Sequence, residues 1–339
     1  MTFAIAPMTA EHLPQAAELL DRWYARIRRP RSYGYPYPVG GRGCTALPAE
    51  ERIAELLKGP STEAVAARGG RGRLAGYLIT APCDPYENGR TDLHGHPGLA
   101  LVAHGGHAVH GGEVADVLRE MYAAVAERLV ARDRLVHHVQ LPADDTVAMA
   151  WFRLGFGLER IRGAMPVRAS GRQPRGVEGL SIRRAGPADL AAVGRMAVDA
   201  ALYRRQAAVF EPQTEEILAV LRTRYADALA DPQCAAFVAM RRGEEAGLVV
   251  LTPARPGPFT PEQSAELAEA YVEPSARGEG VSRVLLATAL AWAYDRGYRQ
   301  VTAAWPTASP LAAGHWPKLG FTPVGYRLCR ILDPRIGTA

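Results

Sequence analysis

The most regular hydrophobic pattern lies near the C-terminal end of the chain. Apolar side chains recur between Val281 and Trp292 at the spacing that places them on one face of a helix. Gly297 follows, and glycine often ends a helix because it adopts a left-handed backbone without steric cost. The pattern therefore predicts a helix over residues 281–296.

Shorter patterns fill the rest of the second half. Apolar runs bounded by turn residues predict strands, and amphipathic stretches predict helices. Strands are predicted at 180–184, 235–241, 247–251, 267–272 and 300–305, and further helices at 187–202 and 215–229. The second and third of these strands form a predicted hairpin across Arg242-Gly-Glu-Glu. This order of strands and helices predicts a mixed α/β domain.

The two halves of the chain share a motif. Trp151-Phe-Arg-Leu-Gly155-Phe156 returns 165 residues later as Trp316-Pro-Lys-Leu-Gly320-Phe321. So long a period indicates a duplicated domain, because solenoid repeats recur about every 20 to 50 residues. Residues 169–179 are rich in Gly, Pro and Ser and lack apolar periodicity, as linkers do. We therefore predict domains at 1–168 and 180–339, joined by a linker at 169–179.

A loop with two glycines precedes the predicted helix at 281. It reads Val272-Glu-Pro-Ser-Ala-Arg277-Gly278-Glu-Gly280-Val281-Ser282. Glycines let backbone N–H groups point outward, and the first turn of a helix adds unpartnered N–H groups at the positive end of its dipole. Such a loop suits a phosphate or pyrophosphate, although it is neither a dinucleotide fingerprint nor a P-loop. A turn that merely starts a helix is the alternative.

The ordered set of motifs over residues 181–330 resembles the GCN5-related N-acetyltransferase (GNAT) superfamily. The resemblance implies two tandem GNAT-like domains, each an α/β (α+β) fold with a mixed, mostly antiparallel sheet flanked by helices. It also implies acetyl-CoA as co-substrate, with Val272 on the strand beside the pantetheine arm. The residues that would cradle the pyrophosphate are Arg277, Gly278, Gly280, Val281 and Ser282. Ser282 stands where the family prefers Gly or Ala.

The first half resembles the family only at its rim. Gly111-Gly112 stands where the loop would be, without the Arg-Gly-x-Gly pattern, and an amphipathic helix continues through Met121, Val125 and Leu129. We therefore predict a degenerate N-terminal module that keeps the fold and lacks the pyrophosphate cradle.

The chemistry that the resemblance implies mainly needs a base. A lysine-like amine has a pKa of about 10.4, whereas a departing thiol has a pKa of about 8.5. Glu266 and Glu269 lie on or beside the strand that leads into the loop and are the candidate bases. Residues three apart on a regular strand point to opposite faces, so at most one of the two should face the cleft. A solvated carboxylate at the strand edge is the alternative for each.

The acid is harder to assign. In the family, a Tyr four residues before the Gly of the Gly-Phe pair often protonates the thiolate, and Trp316 occupies that position here. Indole is not a proton acid, so the proton comes from water or another residue such as His315, or the thiolate leaves unprotonated. Ser309 stands where many relatives carry an Asn, and the resemblance makes it a candidate catalytic residue.

Composition and charge exclude several classes of protein. The chain has 339 residues, 48% of them hydrophobic, which excludes wholesale disorder. No apolar run reaches the roughly 18 residues of a membrane span. The net charge is +5, but arginines are scattered along the chain rather than clustered as in a nucleic-acid footprint. We therefore predict binding to neither nucleic acid nor membrane.

The cysteines and the N-terminal residues predict a location. Cys44, Cys83, Cys234 and Cys329 lie far apart without a CxxC pair, so reduced thiols are expected rather than a disulfide framework. The first residues lack the basic segment of a secretory signal. A cytoplasmic protein is therefore predicted.

Two further clusters carry weaker signals. Five histidines lie between His94 and His110, but no Cys and few carboxylates accompany them, so no metal site is predicted. Arginines at 26–42 surround Tyr33, Tyr35 and Tyr37. That segment could bind single-stranded nucleic acid, line an acceptor site or form a solvated loop.

The sequence and the resemblance together predict an acetyl-CoA-dependent N-acetyltransferase. Transfer would be direct, in a ternary complex, with the donor site in the C-terminal domain. The acceptor would be an unidentified primary amine on a small molecule or a peptide. The sequence is also compatible with a homodimer. A second enzymatic hypothesis is an acyltransferase of thiol or antibiotic metabolism. The alternative of another class is a non-enzymatic CoA-binding or scaffold protein.

Overall fold

The structure is a computed structural model that describes residues 3–27, 47–83, 96, 98–110, 114–169, 177–206, 208–255, 257 and 259–338. Several predicted features lie outside the described residues. These are most of the linker (170–176), the Arg/Tyr segment from residue 28 onward, His94, Cys44 and the Gly111-Gly112 pair. Among the described residues, no helix is both long enough and apolar enough to cross a membrane.

The elements follow one another in a repeating order of strands and helices. They are β1 (Ala4–Pro7), α1 (Leu13–Ile27), α2 (Ala49–Leu57), β2 (Glu63–Arg68), β3 (Leu74–Pro82), β4 (Leu99–Val102), β5 (His107–Val109), α3 (Val114–Val130), β6 (Val136–Pro142), α4 (Asp145–Phe152), β7 (Gly157–Pro166), β8 (Leu180–Arg184), α5 (Leu190–Arg205), α6 (Glu215–Thr223), α7 (Ala226–Ala230), β9 (Ala235–Arg241), β10 (Glu244–Pro253), β11 (Ser264–Val272), α8 (Val281–Asp295), β12 (Gln300–Pro306), α9 (Ala312–Leu319) and β13 (Thr322–Ile331). The helix predicted over residues 281–296 is confirmed as α8.

Contacts divide the chain into two compact units. The first combines Met1–Ile161 with the C-terminal segment Val324–Ala339, and the second is Arg162–Pro323. The C-terminal segment supplies most of β13 to the first unit, and the second half of β7 belongs to the second unit. The sequence division at 1–168, 169–179 and 180–339 stays a prediction, because packing shows which segments lie together and not where a duplicated sequence begins.

In the first unit, the strand order is β1-β2-β3-β4-β6-β13, with β5 paired to β3. The pairing of β4 with β6 is parallel, whereas β1 with β2, β2 with β3, β3 with β4 and β5, and β6 with β13 pair antiparallel. Trp151 is completely buried in its core and packs edge-on against Tyr122, Phe156 and His107. The sequence motif around Trp151 is therefore a core motif.

Two histidines, His104 and His107, are packed in the core of the first unit. The Tyr24 hydroxyl lies 2.9 Å from Nε2 of His104. The indole N–H of Trp151 donates to Nε2 of His107 over 3.2 Å, and burial lowers the pKa of His107 to about 3. An imidazole with so low a pKa carries no charge at neutral pH.

In the second unit, the strands run in the order β12-β11-β10-β9-β8. Strands β8 to β11 pair antiparallel with their neighbours in this order. The pairing of β11 with β12 is parallel. The hairpin predicted between β9 and β10 is confirmed. Its turn residues Arg242 and Gly243 have φ of 51° and 88°, as a two-residue type I′ turn requires. The predicted fold class, a mixed and mostly antiparallel sheet flanked by helices, is confirmed.

One predicted helix is wrong in its extent. The sequence pattern predicts a single helix at 215–229, but the structure breaks it into α6 and α7 around Arg224 and Tyr225. The hydroxyl of Tyr225 donates to the carbonyl of Ala268 on β11 over 3.2 Å. A tertiary hydrogen bond of this kind overrides local helical propensity, which is a weak preference.

A register shift marks the centre of the second sheet. Val250 of β10 lies opposite Glu269, but the next residue of β10, Leu251, lies opposite Leu267. Ala268 is therefore an extra residue on β11, a β-bulge, which reverses the alternation of faces beyond it.

Close packing of α5 against α6 depends on Gly194. A Cβ atom at this position would collide with the backbone of Arg222 and lie 2.9 Å from its carbonyl carbon. Gly314 in α9 is a natural comparison, because a Cβ there meets nothing within 4 Å.

We predict opposite effects of alanine at these two helical glycines. Gly314→Ala should raise stability by about 0.5–1 kcal/mol through helix propensity alone. Gly194→Ala should lower it, because overpacking costs about 1–3 kcal/mol. Thermal unfolding followed by circular dichroism measures both, and stabilisation by both substitutions would contradict the close approach.

Candidate active site

The loop before α8 has the backbone geometry of an anion site. A one-turn 3₁₀ helix at Pro274–Ala276 is followed by Gly278 and Gly280, whose φ angles are 80° and 89°. Only glycine adopts such angles readily. Gly280 is the residue immediately before α8 and lacks a side-chain cap.

The backbone N–H groups of residues 278–282 form a contiguous unpartnered run. Within the described part of the chain, none of the five has a hydrogen-bond acceptor. The first turn of α8 carries no acidic residue, and Glu279 is ion-paired with Arg241. These N–H groups stand at the positive end of a fifteen-residue helix, which favours a negatively charged ligand.

Arg277 fixes the loop to the end of β11. Its Nε donates to the carbonyl of Val272 over 3.0 Å, and its guanidinium lies 4.9 Å from the ring centroid of Tyr203 on α5. The side chain therefore joins loop, strand and helix. Its charge adds to the positive potential beside the N–H groups.

A gap opens between β11 and β12 below the loop. The two parallel strands pair only over Ser264–Glu266 of β11 and residues 300–302 of β12. Beyond these pairs β11 continues to Val272 and β12 to Pro306 without further pairing between them. The N–H and C=O groups along such an edge have no strand partner and can bind an extended ligand.

Glu266 is held in an ion pair at the point where the strands part. Arg162 of β7 donates Nη1 to Oε1 over 3.1 Å and also contacts Oε2 through Nη2. The hydroxyl of Thr302 donates to Oε2 over 3.3 Å. Both carboxylate oxygens of Glu266 are therefore hydrogen-bonded to neighbouring side chains.

Glu269 has a different environment. It is buried and accepts a hydrogen bond from the backbone N–H of Ala270 over 3.2 Å. Its Oε2 lies 3.3 Å from the Tyr225 hydroxyl, which shares its one proton between this oxygen and the carbonyl of Ala268. Nη1 of Arg204 lies 3.9 Å from Oε1. Burial raises the pKa of Glu269 above its usual value, although the hydrogen bonds and the neighbouring arginines oppose this.

The two carboxylates share one face of the sheet. Glu266 lies opposite Thr252 and Glu269 opposite Val250, and residues two apart on β10 point to the same side. The expectation that residues three apart on β11 face opposite sides is therefore wrong. The bulge at Ala268 adds one residue between Glu266 and Glu269, so both side chains lie on the same face.

Ser309 and the residues near it have structural contacts. Oγ of Ser309 accepts a hydrogen bond from the backbone N–H of Ala312 over 3.2 Å at the start of α9. Trp316 is half-buried and packs edge-on against Phe321. Burial, together with the charges of Arg283 and Lys318, lowers the pKa of His315, so its imidazole is neutral near pH 7.

Glu269, the loop of Arg277 and the gap beside Val272 thus all lie on or next to β11, in one unit. Sequence reasoning missed four side chains that contact the carboxylates: Arg162, Thr302, Arg204 and Tyr225. No local signal identifies Arg162, because it comes from a distant strand. Tyr225 lies inside a pattern that predicts a continuous helix.

Residues 196–321 match the model of the Acetyltransferase (GNAT) family. The match covers 126 of the 339 residues, all of them in the second half of the chain. A search of curated proteins finds no match. The predicted GNAT resemblance is confirmed, whereas the degenerate state of the N-terminal module stays a prediction.

Solved structures extend the likeness of fold to nearly the whole chain. A GCN5-related N-acetyltransferase from Sphaerobacter thermophilus is 14% identical with a TM-score of 0.55, covering 98% of this chain and 96% of that one. A GCN5-related glucosamine N-acetyltransferase region of a fungal multi-domain GH3 β-N-acetylglucosaminidase is 15% identical with a TM-score of 0.51, covering 97% of this chain and 38% of that one. A tandem GNAT protein from the clavulanic acid biosynthesis pathway is 17% identical, covers 98% and 99%, and has a TM-score of only 0.49. The two structures with TM-scores of 0.55 and 0.51 establish similarity of fold alone.

The ion pair of Glu266 leads to a test by double-mutant cycle. Arg162→Met, Glu266→Gln and the double variant should give a coupling energy of about 1–3 kcal/mol in urea unfolding, because the pair is hydrogen-bonded and three-quarters buried. The pair Arg119–Asp116, whose side chains are 53% and 61% exposed, should couple by at most about 1 kcal/mol. Equal coupling in the two pairs would contradict a structural role for Glu266.

Proposed function

We propose that the chain is an acetyl-CoA-dependent N-acetyltransferase whose donor site lies in the second unit. The run of five unpartnered N–H groups at residues 278–282, inside a GNAT domain, carries the proposal. These groups would hold the pyrophosphate of acetyl-CoA, which is a substrate here. The gap between β11 and β12 would receive the extended pantetheine arm, beside Val272.

The reaction forms an amide and releases a thiol. The nitrogen lone pair of a primary amine attacks the thioester carbonyl carbon, the C–S bond breaks with its electrons on sulfur, and the nitrogen loses a proton. Deprotonating a lysine-like ammonium near pH 7 costs about 4 kcal/mol. A protein group that accepts this proton therefore has more effect than one that protonates the sulfur.

Glu269 is the base we assign. Its burial favours the protonated form, so its carboxylate is a stronger base than an exposed one. Hydrogen bonds from Tyr225 and Ala270 fix its position without engaging every lone pair. Glu266 is a poorer candidate, because Arg162 and Thr302 already occupy its oxygens.

We assign no dedicated acid to the departing sulfur. Trp316 has no titratable proton, and the neutral His315 has little capacity to donate one. The Ser309 hydroxyl oxygen accepts a hydrogen bond from Ala312 at the start of α9. A thiolate whose conjugate acid has a pKa of about 8.5 leaves without protonation at tolerable cost.

The first unit would serve a role other than donor binding. Trp151, which occupies the place of Trp316 in the repeated motif, is completely buried and hydrogen-bonded to His107 of β5. A core side chain thus stands where the second unit has a half-buried one.

The acceptor we propose is a small-molecule or peptide amine, and the location we propose is the cytoplasm. We propose no binding to nucleic acid or membrane. The chain could act as a homodimer.

The anion site can be tested at two glycines with matched backbone strain. Gly280 and Gly243 have φ of 89° and 88°, but Gly243 lies in the hairpin turn. Gly280→Asp should weaken acetyl-CoA binding in calorimetry by about 100-fold or more, because a charged group intrudes on charge-assisted hydrogen bonds worth about 1.5–3 kcal/mol each. Gly243→Asp should bind normally. Unchanged affinity in Gly280→Asp would remove the loop from the donor site.

The base can be tested by the pH dependence of turnover with a panel of primary amines and thiol release as the signal. Because the base acts when deprotonated, kcat should rise through a pKa above the usual carboxyl value and then level off. Glu269→Gln should remove this rise and lower kcat by about 10²–10⁴-fold. Glu266→Gln should keep the rise, whatever its effect on stability. Acetyl-CoA binding without turnover of any amine would favour the scaffold alternative.

A further inference from the structure

Three metal-binding side chains meet on one surface of the first unit. His138 of β6 lies directly opposite Cys329 of β13 in the antiparallel register, and Glu159 lies on the neighbouring strand β7. One ligand atom from each residue lies within 4.8 Å of the other two. Adjacent strands of a sheet hold these side chains at fixed spacing, although the residues are far apart in sequence.

The distances suit a tetrahedral ion. Zinc binds histidine nitrogen and carboxylate oxygen at about 2.0–2.2 Å, so two such ligands at a tetrahedral angle lie about 3.4 Å apart. Nε2 of His138 and Oε2 of Glu159 are 3.7 Å apart. A change of a few tenths of an ångström, within the reach of side-chain rotation, brings both into coordination range.

The donor atoms select a class of metal. Sulfur, imidazole nitrogen and carboxylate oxygen together suit zinc and related transition metals, whereas magnesium and calcium prefer oxygen alone. The side chain of Glu159 is 36% exposed, which gives an ion access and leaves room for water as a fourth ligand. Binding would release the thiol proton of Cys329 to solvent, because cysteine coordinates as the thiolate.

Arg327 orients the carboxylate of this group. Its Nε donates to Oε2 of Glu159 and its Nη2 to Oε1, each over 2.7 Å. The bidentate contact fixes the carboxylate plane and partly balances the charge of the thiolate and carboxylate. Outer partners of this kind commonly hold metal ligands in place.

We propose that His138, Glu159 and Cys329 form a binding site for a divalent transition-metal ion, with zinc as the best match and solvent as the fourth ligand. The site lies in the first unit and does not rest on the proposed acetyltransferase activity. It gives that unit a ligand of its own.

Cobalt(II) is the probe for this site, because its bond to a thiolate gives a charge-transfer absorption. Titration of the metal-free full chain should saturate at one Co²⁺ per chain, with this absorption, and Zn²⁺ should abolish it by displacement. Cys329→Ser should lose the charge-transfer absorption. His138→Gln should lower the affinity by more than the roughly 10–100-fold that loss of an outer partner costs, which is the effect expected of Arg327→Gln.

Cys234→Ser is the matched control, because this buried thiol of the second unit lies 3.6 Å from Oδ2 of Asp231 instead of beside a histidine. It should keep the cobalt spectrum. A readout without substitution is alkylation of Cys329 by iodoacetamide, followed by peptide mass, which one equivalent of Zn²⁺ should suppress. No saturation at one equivalent, a charge-transfer band that survives Cys329→Ser, or alkylation indifferent to zinc would overturn the proposal.

Discussion

The short parallel contact between β11 and β12 is the constraint on which the second unit depends. Three residue pairs join the strands, and the gap begins where they stop. The ion pair between Arg162 and Glu266 lies at that point, with Thr302 hydrogen-bonded to the same carboxylate. A partly buried charge pair there is expensive to break, so it fixes the place where the strands diverge. The loop and the helix α8 then continue from the free end of β11.

The bulge at Ala268 separates the roles of two carboxylates that the sequence presents as equivalent. It places Glu266 and Glu269 on one face but at different depths. The carboxylate of Glu266 is paired with Arg162, whereas burial raises the pKa of Glu269. Different environments thus distinguish the two carboxyl groups, and we propose the buried one as the base.

The tryptophan of the repeated motif differs in burial between the two units. Trp151 is part of an aromatic core with Tyr122, Phe156 and His107, whereas Trp316 stays half-buried. A core side chain contributes stability through burial and close packing. The motif of the first unit therefore contributes to its core. The metal site that we propose for this unit lies elsewhere, where residues of β6, β7 and β13 meet.

The sequence by itself determined the local features of this protein. Hydrophobic spacing located α8, turn chemistry located the hairpin at Arg242-Gly243, and the loop from Val272 to Ser282 indicated an anion site, because each depends on neighbouring residues. Tertiary structure alone decided the break at Tyr225, the shared face of Glu266 and Glu269, and the pairing of Arg162 with Glu266. It also decided the meeting of His138, Glu159 and Cys329. Strand register and long-range contacts set these features, and neither is encoded in the spacing of residues along a single segment.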